Sequence, residues 1–432
     1  MNERARIMVT GDLHLGVHPS GIPDELDSKA YSPGQTWGTI VDECVKEDVD
    51  ALVVTGDVVD RANQFYEAWG PFEAGVSDLA ANDIPLVMVA GNHDADVLPE
   101  FVDSLDADNC HLVGRGGQWQ RVTLTTGDDT AISFDGWSYP DREVRKNPLD
   151  EYDSDPAEEP LFGLLHTELD RPGSPYAPTT EEDLKRTPVD GWLLGHIHKP
   201  AVHSENPLVL NPGSPQPLNP TETGIHGPWL LTVKPDGSSE TVQEPLANLE
   251  YQSLEIDVTD LESPERLTGE IKDRLSRVMN QRDPVNDRLG LISTRLTLTG
   301  RADRQREYER ESHSLRDSLQ FSLNGARVAI EKIENTIRPA VDLQELAEGT
   351  GPVAVLSDLL MKLENGDTDR IPEELMEETE DAVQTAYGAS TYEPLRVQGD
   401  GNPPDAESQR RMLRKQGRSL LEELLDQKED PV

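Results

Sequence analysis

Short apolar runs that break off into a polar group recur through the first half of this chain: RIMVTGD, ALVVTGD, IPLVMVAGNHD, FGLLHTE and GWLLGHIH. Runs of this length, bounded by turn residues, predict buried strands. Segments of helical character lie between them, near residues 35–49, 64–82 and 97–106. The pattern predicts successive β-loop-α units, an α/β domain from residue 6 to about 245. Further strands are expected at 118–126, 131–137, 199–211, 228–234 and 239–246, enough sheet for two stacked layers with helices outside. Sheets of this kind gather ligands at their strand ends, so the polar groups that close the runs mark the place to look for chemistry.

The full 432 residues exceed one domain at about 150 residues each. Residues 250–345 change character, with a strand at Tyr251 to Val258, a helix after Ser263-Pro264, a strand at Leu291 to Thr299 and a helix after Arg304. The expected division is 1–248, a smaller α+β domain at 249–345, and a helical region at 346–432 with a break at Gln398 to Asp405, QGDGNPPD. Asp141 to Glu159 and Asp170 to Pro178 are acidic and interrupted by Pro, and read as exposed loops near the working face.

A formal net charge of -44 is spread along the whole length, and Arg outweighs Lys. With 35% hydrophobic residues the chain still has clear apolar strands, so the charge predicts a folded, salt-adapted surface, as in a halophile, rather than disorder. At near-molar salt the Debye length is about 3 Å, so negative charge does not exclude DNA as a partner. Cys44 and Cys110 fit neither a disulfide framework nor zinc spacing. No run is long enough for a signal peptide or a span, so a cytoplasmic protein with no membrane attachment is expected.

Asp12 and His14 stand two apart after a buried run, and an extended backbone turns both side chains to one face. His196 and His198 repeat that spacing, while Asp57, Asn92, His93 and His166 close three more runs. One such pair is a weak signal; five separated motifs, each with a metal-ligating residue at a strand end, point jointly to a metal site. Imidazole, carboxylate and amide donors without thiolate suit manganese, iron or zinc better than magnesium or calcium.

In order, these motifs resemble those of the calcineurin-like metallophosphoesterase superfamily: D-x-H, G-D-x-x-[DH], G-N-H-[DE], H and G-H-x-H, over about residues 6 to 245. The resemblance implies a four-layer αββα sandwich that binds two divalent ions, with manganese favoured. Asp12, His14, Asp57 and His198 would hold one ion, and Asp57, Asn92, His166 and His196 the other, with Asp57 bridging. Two cations about 3.5–4 Å apart activate water and neutralise charge in an in-line displacement at phosphorus. His93, beside a ligand, is expected to protonate the leaving oxygen or stabilise the pentavalent state. Asp60 holds the place where many related phosphatases have an Asp that orients this histidine; the meiotic-recombination-eleven nucleases resemble His there. Arg61 completes GDVVDR, similar to the phosphatase form in which Arg contacts substrate phosphate, or else serves as a surface ion partner. His18 is the best placed of the other histidines to meet substrate.

NPGSPQPLNPTETGIHGPWLLTV resembles a segment of DNA-repair exonucleases of the SbcD and YhaO group. That resemblance implies a capping domain at 250–345, a possible homodimer, and C-terminal helices that dock on an SMC-like, SbcC-type ATPase. In the last helix Leu413, Leu420, Leu421, Leu424 and Leu425 form a stripe that fits a partner or the protein's own core. Arg410, Arg411, Arg414, Lys415 and Arg418 form a basic cluster nearby. The reading preferred is a DNA exonuclease or endonuclease subunit acting in double-strand break repair. The alternatives are a phosphomonoesterase or cyclic-nucleotide phosphodiesterase, and a catalytically idle scaffold.

Overall fold

The computed structural model describes residues 4–60, 65–105, 107–126, 130–281, 286–302, 304–318, 321–340, 342–365, 371–388 and 405–429. The chain divides into two compact units, Met1–Gly300 with Arg304–Ile337, and Arg301–Asp303 with Arg338–Val432.

The first unit opens with β1 (Ala5–Thr10), α1 (Pro33–Lys46), β2 (Ala51–Val54), α2 (Phe65–Ala81), β3 (Leu86–Met88), α3 (Leu98–Ser104) and β4 (Cys110–Leu112). It continues with β5 (Gln120–Thr125), β6 (Ala131–Trp137), β7 (Leu161–His166), α4 (Glu181–Lys185), β8 (Gly191–Gly195), β9 (Ala201–Glu205), β10 (Leu208–Asn211), β11 (Trp229–Val233) and β12 (Ser239–Gln243). Two six-stranded sheets result, in the orders β12-β11-β1-β2-β3-β4 and β5-β6-β7-β8-β10-β9. Strands β1 to β3 run parallel, with Thr10 opposite Val54 and Val54 opposite Met88, so the chain leaves all three strands at one edge. In the second sheet β7 and β8 are parallel, and His166 lies opposite Gly195.

Parallel strands covered on both faces need apolar residues at every position, and β2, ALVV, is buried throughout. Between the sheets pack Val9, Val53, Val87, Phe134, Phe162, Leu193 and Leu210. On the outer face of the first sheet, Trp37, Ile40 and Cys44 of α1 and Phe72 of α2 cover Leu52 and Val54. Proline at the start of α1 needs no intrahelical N–H partner. The outer face of the second sheet is closed by short α4 and by loops, around Trp192, Trp137 and Tyr139. Burial of each such large side chain stabilises by about 1.5–3 kcal/mol.

After β13 (Leu249–Asp257) come α5 (Leu267–Asn280), β14 (Leu291–Thr299) and, in the second unit, the short β15 (Arg301–Ala302). The first unit then completes a four-stranded sheet with α6 (Gln305–Ser318), β16 (Phe321–Leu323) and β17 (Ala326–Asn335), in the order β13-β14-β17-β16. Strands β13, β14 and β17 are parallel, and α5 and α6 lie in the connections. The hairpin β16-β17, unforeseen above, turns through Asn324 and Gly325, both at positive φ, with Leu323 paired to Ala326. An Asn-Gly pair suits this tight two-residue turn.

In the second unit β15 pairs with β18 (Arg338–Pro339), and α7 (Leu343–Ala347), α8 (Pro352–Asn365), α9 (Glu373–Gly388) and α10 (Ala406–Glu429) follow. Helix α10 packs closely on α8: a Cβ on Gly417 would stand 2.9 Å from Leu360 Cδ2. The predicted leucine stripe is divided by this contact. Leu421 is buried, Leu413, Leu424 and Leu425 are half-buried, and Leu420 is exposed. Arg418 of the basic cluster donates to Glu364 Oε1 at 2.7 Å. Residues 398–404 of the expected break lie outside the described residues. Among the described residues no helix is long and apolar enough to cross a membrane.

Candidate metal centre

The chain leaves β1 and β2 in turns that hold each other. The Asp12 N–H donates to Gly56 O at 3.0 Å and the His14 N–H to Asp57 O at 2.9 Å. Asp12 (φ 48°), His14 (φ 47°), Asp57 (φ 49°) and His196 (φ 94°) all sit in the left-handed region. Such a conformation costs a non-glycine residue about 1–3 kcal/mol and persists only where the surroundings impose it. Here the surroundings are the inter-sheet core and a buried carboxylate, Asp94. Its Oδ1 accepts the Gly91 N–H at 2.8 Å, and its Oδ2 accepts the Val58 N–H at 2.7 Å and the Val59 N–H at 3.3 Å. One side chain thus joins the loop that carries Asp57 to the loop that carries Asn92.

Gly91 is required by the same contact, since a Cβ there would lie 2.2 Å from Asp57 Oδ1. His166, at the end of β7, directs Nδ1 to the Thr55 carbonyl at 3.0 Å and turns Nε2 inward. Asn211 donates to the carbonyls of Ile197 and Lys199 at 2.7 and 2.9 Å, which fixes the turn bearing His196 and His198.

Seven side chains converge as a result. Asn92 Oδ1 is 3.0 Å from His166 Nε2 and 3.1 Å from His196 Nδ1. Asp57 Oδ2 is 3.2 Å from His166 Nε2 and 3.8 Å from His14 Nε2, and so stands between two groups of donors. His14 Nε2 faces His198 Nε2 at 3.1 Å, and His198 Nε2 is 4.0 Å from Asp12 Oδ1. Among the described residues three clusters of His and carboxylate groups could hold an ion: Asp12, His14, His198; Asp12, Asp57, His166; and, toward the exposed side, His14, Asp60, His93.

Electrostatics favour the same use. Burial opposes charge on Asp57, but His166 and His14 beside it hold its carboxyl well below the usual range. Burial pushes His14 and His196 down to about 3, which leaves their lone pairs available. His166 and His198 are also disfavoured as cations by burial, yet Asp57 raises the first to about 9, and Glu222 with Asp12 raises the second to about 9. Imidazole nitrogens aimed at one another, next to carboxylates that want positive charge, suit divalent cations, and the donor set fits them.

His93 does not join the seven. Its backbone N–H donates to Asp57 Oδ1 at 2.9 Å, its ring stands edge-on to His14 with centroids 4.9 Å apart, and 45% of its side chain is exposed. Asp60 Oδ2 lies 3.5 Å from His93 Nδ1 and 3.8 Å from His14 Nδ1. His18 is drawn to Glu67 Oε2 at 3.0 Å, outside these clusters. Arg61 lies outside the described residues. Residues the sequence reading passed over include Asp94, the last letter of GNHD, and Glu222, which accepts from His198 Nδ1 at 3.0 Å. Tyr139 and Tyr176 pack their rings on His166 and His196, with centroids 5.6 and 4.9 Å away.

Comparison with known proteins agrees with this geometry. Residues 5–200 match the family described as calcineurin-like phosphoesterase, so this part of the chain is a calcineurin-like metallophosphoesterase domain. Residues 251–338 match the family described as metallophosphoesterase YhaO, middle domain. The chain is 29% identical over 294 residues to metallophosphoesterase YhaO of Bacillus subtilis, a match covering 66% of this chain and 70% of that one. It is similar to two archaeal DNA double-strand break repair proteins Mre11. That of Methanosarcina acetivorans is 26% identical over 60% of this chain and 41% of its own. That of Methanopyrus kandleri is 25% identical over 63% of this chain and 62% of its own. The match therefore spans less than two thirds of either archaeal protein.

Proposed function

We propose that this chain is a manganese-dependent DNA nuclease subunit that hydrolyses phosphodiester bonds in double-strand break repair. The observation that carries this reading is the bridging place of Asp57 between two donor groups, with His93 exposed at their rim. Two bound divalent ions would supply an activated water and neutralise charge developing at phosphorus.

In this reading Asp12, His14, Asp57 and His198 hold one ion, and Asp57, Asn92, His166 and His196 the other. His93 is held by its own N–H to Asp57 and faced by Asp60, so it meets the leaving oxygen from the solvent side and gives it a proton. The sheet at 249–337 follows the phosphoesterase domain as a cap that limits entry, and relatives named for break repair support DNA as substrate. Exposed Met412 and Leu420 on α10 support docking on an SMC-like ATPase, with homodimerisation a further proposal. The charge of -44 supports work in a salt-rich cytoplasm.

The test is incubation of the purified chain at high salt with end-labelled DNA and Mn2+, beside His93→Ala. Degradation that the variant loses is expected. A second reading, phosphomonoesterase action, is favoured by Asp60 beside His93. Hydrolysis of small phosphoesters with DNA left intact would select it.

A further inference from the structure

The segment NPGSPQPLNPTETG runs from the end of β10 along the metal centre and back toward the capping sheet. Its one carboxylate, half-buried, serves the site directly. Glu222 Oε1 accepts from His198 Nδ1 at 3.0 Å and from Asn219 Nδ2, while Oε2 accepts the Leu218 N–H at 2.7 Å and the Ser214 hydroxyl at 3.4 Å. Every partner is a donor, and only a carboxylate can accept at both oxygens.

The effect on His198 follows from imidazole chemistry. With one hydrogen held on Nδ1, Nε2 is the nitrogen that would give up its proton and turn its lone pair to a cation beside Asp12 and His14.

The carboxylate is itself braced by the cap. Thr223 forms a β-bridge with Tyr251 of β13, and the Tyr251 hydroxyl donates to the Ser20 carbonyl. The Ser20 N–H donates in turn to the Leu218 carbonyl at 2.9 Å. Ser293 of β14 donates to the neighbouring Gly21 carbonyl at 2.7 Å. A continuous set of contacts therefore runs from two capping strands, through residues 20–21 and 218–223, to His198.

We propose that Glu222 is a positioning residue that fixes the tautomer and seat of His198 for metal binding, and that the capping sheet holds Glu222 in place through Tyr251. The proposal rests on the reading of His198 as a metal ligand.

The test is calorimetric titration of the metal-free full-length chain with MnCl2, for wild type, Glu222→Gln and Tyr251→Phe, with the thermal midpoint of each recorded. In Glu222→Gln one end of the amide must set its NH2 against a donor. Mn2+ affinity is expected to fall about 10- to 100-fold, measured below the metal-free midpoint so that any loss of stability is separated from it. Tyr251→Phe, which removes only a remote hydroxyl, is expected to weaken Mn2+ about threefold or more. Affinity in Glu222→Gln within twofold of wild type would overturn the positioning role; unchanged affinity in Tyr251→Phe would overturn the brace. If Glu222→Gln does not fold, Tyr251→Phe decides. Wild-type protein that takes up no Mn2+ would reject the metal reading itself, and wild-type protein that binds Mn2+ but leaves DNA intact would reject only the nuclease.

Discussion

Asp94 offers the sharpest energetic test, because it touches neither of the proposed ions yet joins the loops that carry two of their ligands. In Asp94→Ala three buried backbone N–H groups lose their acceptor, two of them bonded at 2.7 and 2.8 Å. Each buried donor left without its acceptor costs about 1–3 kcal/mol. Relief from burying a carboxylate offsets part of this, so the expected loss is about 3–5 kcal/mol. Asp94→Asn keeps one acceptor and turns its NH2 toward a backbone donor, and about half that loss is expected. Denaturant unfolding in EDTA, followed by tryptophan fluorescence, isolates the effect: all six Trp residues, 37, 69, 119, 137, 192 and 229, lie in the first unit. Burial and Asp57 raise the Asp94 carboxyl from its ordinary range to about 7. A raised carboxyl favours the fold while protonated and loses that contribution as pH climbs through the folded value. The advantage of wild type over Asp94→Asn is therefore greatest near pH 4 and shrinks toward pH 7. An Asp94→Ala protein within about 1 kcal/mol of wild type at pH 7 would refute the argument.

Three further outcomes are expected. His93→Ala should lower turnover about 10²- to 10⁴-fold while Mn2+ titration stays unchanged; loss of metal uptake would make His93 a ligand instead. Gly91→Ala sets a Cβ 2.2 Å from Asp57 Oδ1, so Mn2+ affinity should collapse although the change is a single methyl, as calorimetry will report. Because Glu222 and Asp12 outweigh burial and hold His198 protonated up to about pH 9, an incoming cation must displace that proton. Apparent Mn2+ affinity should then climb with pH, by up to about tenfold per unit for each proton displaced, and titrations in buffers of different ionisation enthalpy should register the release.

The convergence of the site was legible because its ligands follow strand ends, and parallel strands in register bring those ends to one edge: the residues after Thr10, Val54 and Met88 had nowhere else to go. What stayed hidden were groups whose work depends on distant chain. Asp94 is one letter of a motif, and nothing local tells that it serves Val58 and Val59 across 36 and 35 residues. Glu222 was read only as part of a family-like segment, since its partner His198 lies 24 residues away. The hairpin of β16 and β17 did carry a local sign, Asn324-Gly325, masked by the charged residues that alternate along the solvent face of β17. The leucine stripe of α10 left two uses open, and the fold divides it, since Leu421 turns inward while Leu420 does not.

The left-handed backbone at Asp12, His14, Asp57 and His196 sets function against robustness. Glycine would relax each of these positions at no steric cost, so a variant library screened for heat resistance alone should drift toward glycine there and shed its chemistry on the way. Selection for a tougher protein and selection for a working one pull in opposite directions at the same four residues.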